Sequence, residues 1–236
     1  MRFAFLFCAV ASFSLPFAAE TPPASCQAEV FVLQTLERTP VVGSPDGHYR
    51  VTLFGNEEKA DGILRVFRSG EPIREFPLRH LSGGIFVKWA PDSRAFYFMW
   101  SDGGVIGNYS VRVFQVAGNT VNEVPATEQA ARDFARSHYC KARGNNMFAI
   151  RWLNGSNTLL VATQVYPTGD CGKDLGLFGG YEVRIDDGLI VRSYTEKQLK
   201  SLWPDGCPSR IWPTGLWGDA ELQRAKQELK DKKQVH

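Results

Sequence analysis

The sequence predicts a mainly β fold: antiparallel four-stranded meanders stacked as an incomplete propeller-like array, with two or three short peripheral helices. Three observations predict it. The first is a phrase written three times: an apolar run, a tight turn and a second apolar run. Val41-Val42-Gly43-Ser44-Pro45-Asp46-Gly47 leads into Tyr49–Phe54, and Phe86–Trp89 with Ala90-Pro91-Asp92-Ser93 leads into Ala95–Trp100. Phe148–Trp152 with Leu153-Asn154-Gly155-Ser156 leads into Thr158–Thr163. Proline presets φ for a turn, and Asp, Asn and Gly tolerate its other positions, so each copy reads as a β-hairpin. The second observation is spacing. The turns begin at residues 44, 90 and 153, hence 46 and 63 residues apart, near the period of roughly 40–50 residues of a four-stranded blade. The third is period-two alternation, clearest in Tyr109-Ser-Val-Arg-Val-Phe-Gln-Val, which is the pattern of a strand with two different faces.

The first 19 residues have the parts of a secretory signal: Arg2, the apolar stretch Phe3–Leu15, and the small-residue exit Pro16-Phe17-Ala18-Ala19 before Glu20. Ser12, Ser14 and Pro16 break the run, which argues against a membrane span of about 20 apolar residues. The expectation is a cleaved signal at 1–19 and a single propeller-like β domain at 20–236, periplasmic or secreted. No transmembrane segment is expected after signal removal. The mature chain then carries 26 basic and 25 acidic residues, a balance that supports no nucleic-acid partner and no anionic-membrane field.

After the Pro-rich leader at 21–25, Val30–Leu36 reads as a strand. The first copy continues through Ile63–Phe67, a Ser-Gly-Glu-Pro turn at 69–72 and Ile73–Leu78. The second supplies Ile85–Trp89, Ala95–Trp100, Tyr109–Val116 and Val121–Val124 as one meander. Residues 127–143 switch to helical spacing, with Thr127 as the expected cap and Ala130, Ala131, Phe134, Ala135, His138 and Tyr139 on one stripe. The third copy follows as Met147–Trp152, Thr158–Tyr166, Tyr181–Ile185 and Leu189–Tyr194, with a long loop at 167–180. A short helix at Thr195–Leu202, a Trp-rich tail and a charged helix near Asp219–Lys233 close the chain.

Trp89-Ala-Pro-Asp-Ser-Arg-Ala-Phe-Tyr-Phe resembles the Trp-Ser-Pro-Asp-Gly repeat of TolB-like β-propellers, and Ser44-Pro-Asp-Gly is a shorter second match. The resemblance covers roughly residues 41–194 without the helix. It implies blade architecture in an exported bacterial protein and carries over no catalytic residue, because blades serve binders and enzymes alike. Three copies fall short of the 4–8 of a closed ring, so the array is expected to be incomplete.

Export places Cys26, Cys140, Cys171 and Cys207 in an oxidising compartment, where an even number of thiols reads as disulfides. Three pairings are open. Cys140–Cys171 joins two parts of the third copy and leaves Cys26–Cys207 to tie the ends of the domain together. Gly169-Asp170-Cys171-Gly172 resembles a protease nucleophile turn with Cys in place of Ser. A nucleophile needs a His base close by, and neither His48 nor His80 stands in such a setting, so the structural reading is preferred. Asp46, Asp92, Asp186 and Asp187 read as turn residues, and the four histidines lack metal-site spacing. No metal and no cofactor is expected.

Glu71, Arg74, Arg79 and Lys88 read as a solvated face. Trp203, Trp212 and Trp217 with Tyr194 form a candidate binding surface, a stacking platform for a glycan or peptide. The competing reading, preferred because large aromatics are mostly buried, makes them a plug for the open end of the stack. The function expected is an exported non-enzymatic binding or scaffold module for an unknown protein or envelope component. The alternative is a small exported hydrolase with Cys171 as nucleophile.

Overall fold

A computed structural model describes residues 29–31, 41–56, 61–79, 81, 85–101, 109–137, 145–165 and 177–201. The fold is mainly β. Three antiparallel sheets stack without closing a ring among these residues. The first sheet runs β2 (Val41–Gly43), β3 (Tyr49–Asn56), β4 (Asp61–Arg68) and β5 (Glu71–Leu78) in spatial order. The second runs β6 (Ile85–Trp89), β7 (Ala95–Ser101), β8 (Tyr109–Ala117) and β9 (Thr120–Val124). The third runs β10 (Asn145–Leu153), β11 (Thr158–Val165), β12 (Phe178–Arg184) and β13 (Ile190–Thr195). Helix α1 (Ala126–Ser137) joins the second sheet to the third, and α2 (Glu196–Ser201) follows β13. One strand has an unforeseen partner. The N-terminal β1 (Glu29–Phe31) pairs with β6, so the middle sheet has five strands.

The middle sheet shows why β7 reads as an unbroken apolar run. Phe96 and Phe98 point into the core shared with the first sheet, and Tyr97 and Met99 into the core shared with the third. Both faces are dry, so both must be apolar, and period-two patterning vanishes. The first core sets Trp89 at a tilt against Phe96 (4.8 Å) and stacks Phe96 on Phe114 (4.8 Å).

The three repeated turns do more than reverse the chain. They form equivalent four-residue loops closed by Ser44–Tyr49, Ala90–Ala95 and Leu153–Thr158. In that alignment Trp89 and Trp152 occupy one repeat position, and Gly43 stands there in the first copy. The Trp89 indole donates to the Val42 carbonyl at 3.4 Å, and the Trp152 indole donates to the Lys88 carbonyl at 3.2 Å. Val42 and Lys88 are themselves equivalent, so one joint is built twice. The turns also touch one another. The Asp46 amide donates to Ser93 Oγ at 3.0 Å, and Asp92 Oδ2 accepts from the Ser156 amide (3.0 Å) and hydroxyl (2.8 Å). The outermost copies lack the joint's residues, with Gly43 in place of Trp and Gly155 in place of Asp.

Two local expectations change. Lys88 is not on a solvated face: it lies in the middle sheet, and burial lowers its pKa. Glu71, Arg74 and Arg79 are exposed. Thr127 does not cap α1. Its buried hydroxyl donates to the Val111 carbonyl at 3.1 Å, because a buried hydroxyl needs a partner, and this bond ties α1 to β8.

The Asp92 carboxyl shows a testable consequence of the joint. Burial raises its pKa, but hydrogen bonds from Ser156 and the Arg94 amide outweigh that and hold it below the ordinary 3.8. A lowered carboxylate stabilises the fold above its unfolded pKa, and the gain is lost as pH falls through the folded value. Asp92→Ala is therefore expected to cost about 1 kcal/mol at neutral pH, a modest figure because the side chain is exposed. Urea midpoints of the two proteins should converge as the pH is lowered through the acid range. A gap that persists unchanged in acid refutes the assignment.

Candidate functional site

Tight turns gather at one end of the stack, at 44–48, 90–94, 154–157 and 186–188. The longer connections leave from the opposite end, beyond Ser101, Ser137 and Val165. At that second end a cleft of about 790 Å³ opens between α1, β12, β13 and α2, within the range of roughly 300–1,000 Å³ usual for ligand sites.

Two adjacent glycines make the cleft. A Cβ on Gly179 would lie 3.1 Å from the Phe134 ring, and one on Gly180 would lie 2.7 Å from Leu199. Successive strand residues face opposite ways, so α1 and α2 close on opposite faces of the same strand. A side chain at Gly179 would press on the Phe134 ring, and one at Gly180 would require the Leu199 side chain to shift. Phe134, from the apolar stripe of α1, is buried and meets Tyr181 edge-on at 6.5 Å and 86°. Tyr181 is cross-strand from Ser193, whose small side chain leaves the ring reachable. Burial raises the Tyr181 pKa, and the Asp133 carboxylate raises it further.

Tyr194 belongs to the other face, opposite Gly180. Its hydroxyl donates to Glu182 Oε1 and accepts from Arg192 Nη1 at 3.4 Å, while the Arg192 guanidinium lies 5.5 Å from the ring centre. Burial, and then the bond to Glu182, hold the phenol protonated above its ordinary pKa. The ring is thus held at its hydroxyl and covered on one face by Arg192.

Helix α2 is placed by a capping box. The Thr195 amide donates to Gln198 Oε1 at 2.9 Å, and the Gln198 amide donates back to Thr195 Oγ1 at 3.4 Å. Thr195-Glu196-Lys197-Gln198 carries the Ser/Thr-x-x-Glu/Gln signature in plain sequence, and that signal identifies the helix start and the cleft rim. Phe134 was visible as a helical-stripe residue. Tyr181 was legible only as a strand residue, since its role depends on which helix lies over it.

Of the residues singled out from sequence, Tyr194 falls at the cleft. Trp203, Trp212, Trp217, Cys26, Cys140, Cys171 and Cys207 lie outside the described residues, as does the helix expected near 219–233. The four aspartates act as turn residues: Asp46 accepts from Ser44 and the His48 amide, Asp187 from Arg184 and the Leu189 amide. Asp92 accepts from the Arg94 amide, and Asp186 accepts from Gln115 Nε2 at 2.6 Å. Among the described residues no cluster of three or more His, Cys, Asp or Glu side chains gathers, and no helix is long and apolar enough to cross a membrane. Comparison with family models, with curated proteins and with solved structures finds no match for this chain, so the site is read from its own geometry.

Proposed function

We propose that the mature chain is an exported, non-enzymatic binding or scaffold module, and that the cleft between α1, β13 and α2 receives its partner, a protein or envelope component. The signal-like leader supports export, and the observation that carries the binding reading is the cleft's construction. An apolar floor of Phe134 and Tyr181 is rimmed by hydroxyl and amide groups of Ser193, Thr195 and Gln198. Aromatic surface supplies contact energy, and the few polar groups fix orientation. The floor stands on a stack whose turns are cross-bonded, and binding groups at the long-loop end of a rigid scaffold are a common arrangement.

The test fills the cleft. Ser193→Trp places an indole over Tyr181 from an edge position where the backbone need not move. Fluorotyrosine-labelled protein is titrated with a panel of short glycans and peptides. A ligand that shifts the Tyr181 resonance should bind Ser193→Trp about tenfold or more weakly, as expected for a blocked anchor pocket, while the thermal midpoint stays unchanged. Ligands that bind both proteins equally place the site elsewhere and overturn the reading.

A further inference from the structure

We infer that β13 is an open sheet edge that accepts an extended peptide segment from another protein as an added strand. The inference rests on the binding reading above and names its partner class.

Two hydrogen bonds fix the direction of the backbone groups on β13. The Arg184 amide donates across to the Leu189 carbonyl at 2.9 Å. In an antiparallel ladder, residues that exchange bonds alternate with residues that do not. Glu182–Arg192 and Gly180–Tyr194 are therefore bonded pairs, and Tyr181–Ser193 is a non-bonded pair. The Thr195 amide agrees with this phase, since it turns to Gln198 and away from β12. The N–H and C=O of Ser193 consequently point outward from the sheet.

Among the described residues β5, β9 and β13 are each the last strand of their sheet, and β5 and β9 are blunted where β13 is not. β5 carries Pro72 and Pro77 and a bulge beside Ile73, so it has few donors in register. β9 is only five residues long and lies beside β5. β13 has a bulge at Val191, but Arg192–Thr195 continues in regular register with no proline. Prolines and bulges are among the ways proteins protect an edge, and Arg192–Thr195, though only four residues long, has neither.

The cleft runs along that regular half, with its floor of Phe134 and Tyr181 on the Ser193 face and Tyr194 on the other. A strand added to β13 places the residue opposite Ser193 on the Ser193 face, over Tyr181 and Phe134, and its neighbours on the face of Tyr194. Backbone groups at strand spacing with a pocket for alternate side chains are the requirements of β-strand addition. The occupant the geometry fits is an extended segment with a large apolar or aromatic residue in the pocket.

The test uses the full chain and a five-residue probe peptide of alternating threonine and phenylalanine, capped at both ends, with singly N-methylated versions at each position. Amide exchange at Ser193 is expected to be fast in the free protein and to slow about tenfold or more with saturating peptide, because an added strand protects an edge amide. N-methylation should abolish binding at alternate positions and be tolerated between them, since only every second amide faces the edge. Peptide binding that shifts Tyr181 without slowing Ser193 exchange overturns strand addition and leaves the cleft reading standing. Slow Ser193 exchange in the free chain means the edge is already occupied within the molecule, which also overturns it. No peptide-induced change at Ser193 or Tyr181 removes both the added strand and a peptide site in the cleft.

Discussion

Replacing Trp89 with alanine is expected to lower the unfolding free energy by about 3–5 kcal/mol, among the larger losses a single substitution in this chain can produce. Trp89 is 5% exposed and sits where the first two sheets meet. It stacks on Tyr49 at 6.0 Å and lies tilted against Phe96 at 4.8 Å, and its indole N–H reaches the Val42 carbonyl. Truncation removes the ring, opens a cavity between two sheets and leaves that carbonyl short of a donor. Trp89→Phe separates these effects. It retains most of the apolar volume and loses the hydrogen bond, so its cost should be about 1–2 kcal/mol. Urea denaturation of the three proteins decides the matter. Equal losses for phenylalanine and alanine would show that the joint depends on the indole N–H and not on packing, contrary to the geometry described above.

Much of the fold was legible because its signals are local. Pro45-Asp46-Gly47, Pro91-Asp92-Ser93 and Asn154-Gly155 are turn chemistry, and the runs that flank them have strand composition. The second sheet could be read from Ile85 to Val124 almost residue by residue. What could not be read depends on partners far apart in sequence. Nothing in the segment at 29–31 says that it pairs with β6, more than fifty residues on. Trp89 and Trp152 were visible as aromatic strand residues, but their shared use as donors to Val42 and Lys88 is a property of the stacked sheets. Lys88 misled for the same reason: a charge in a strand reads as solvated until the next sheet is known. The cleft divides in the same way. Tyr194 stood out as an aromatic near the tail, and the capping box at Thr195 was available in sequence. Gly179-Gly180 reads as loop punctuation, and only the two helices on opposite faces show why glycine is needed there.

Phe134→Ala is the counterpart of Trp89→Ala in the other core, with an expected cost also near 3–5 kcal/mol. Its ring is 1% exposed, wedged between Tyr181 and the bare backbone of Gly179. Gly179 has no side chain to swing into the space, which favours a persistent cavity. The loss should also be felt at the cleft: α1 loses its main anchor on β12, and the Tyr181 ring loses its edge-on support. The two substitutions together test the architecture. Trp89 belongs to the core between the first and second sheets, and Phe134 to the core between the second and third. Side chains that share no partners have effects that add to within about 0.5 kcal/mol. Trp89→Ala/Phe134→Ala is therefore expected to cost the sum of the single changes, provided each single variant is stable enough to measure. A deficit well below the sum would mean that losing either core already releases the other. The middle sheet would then be transmitting disorder between its two faces, and the picture of two cores divided by one rigid sheet would have to be given up.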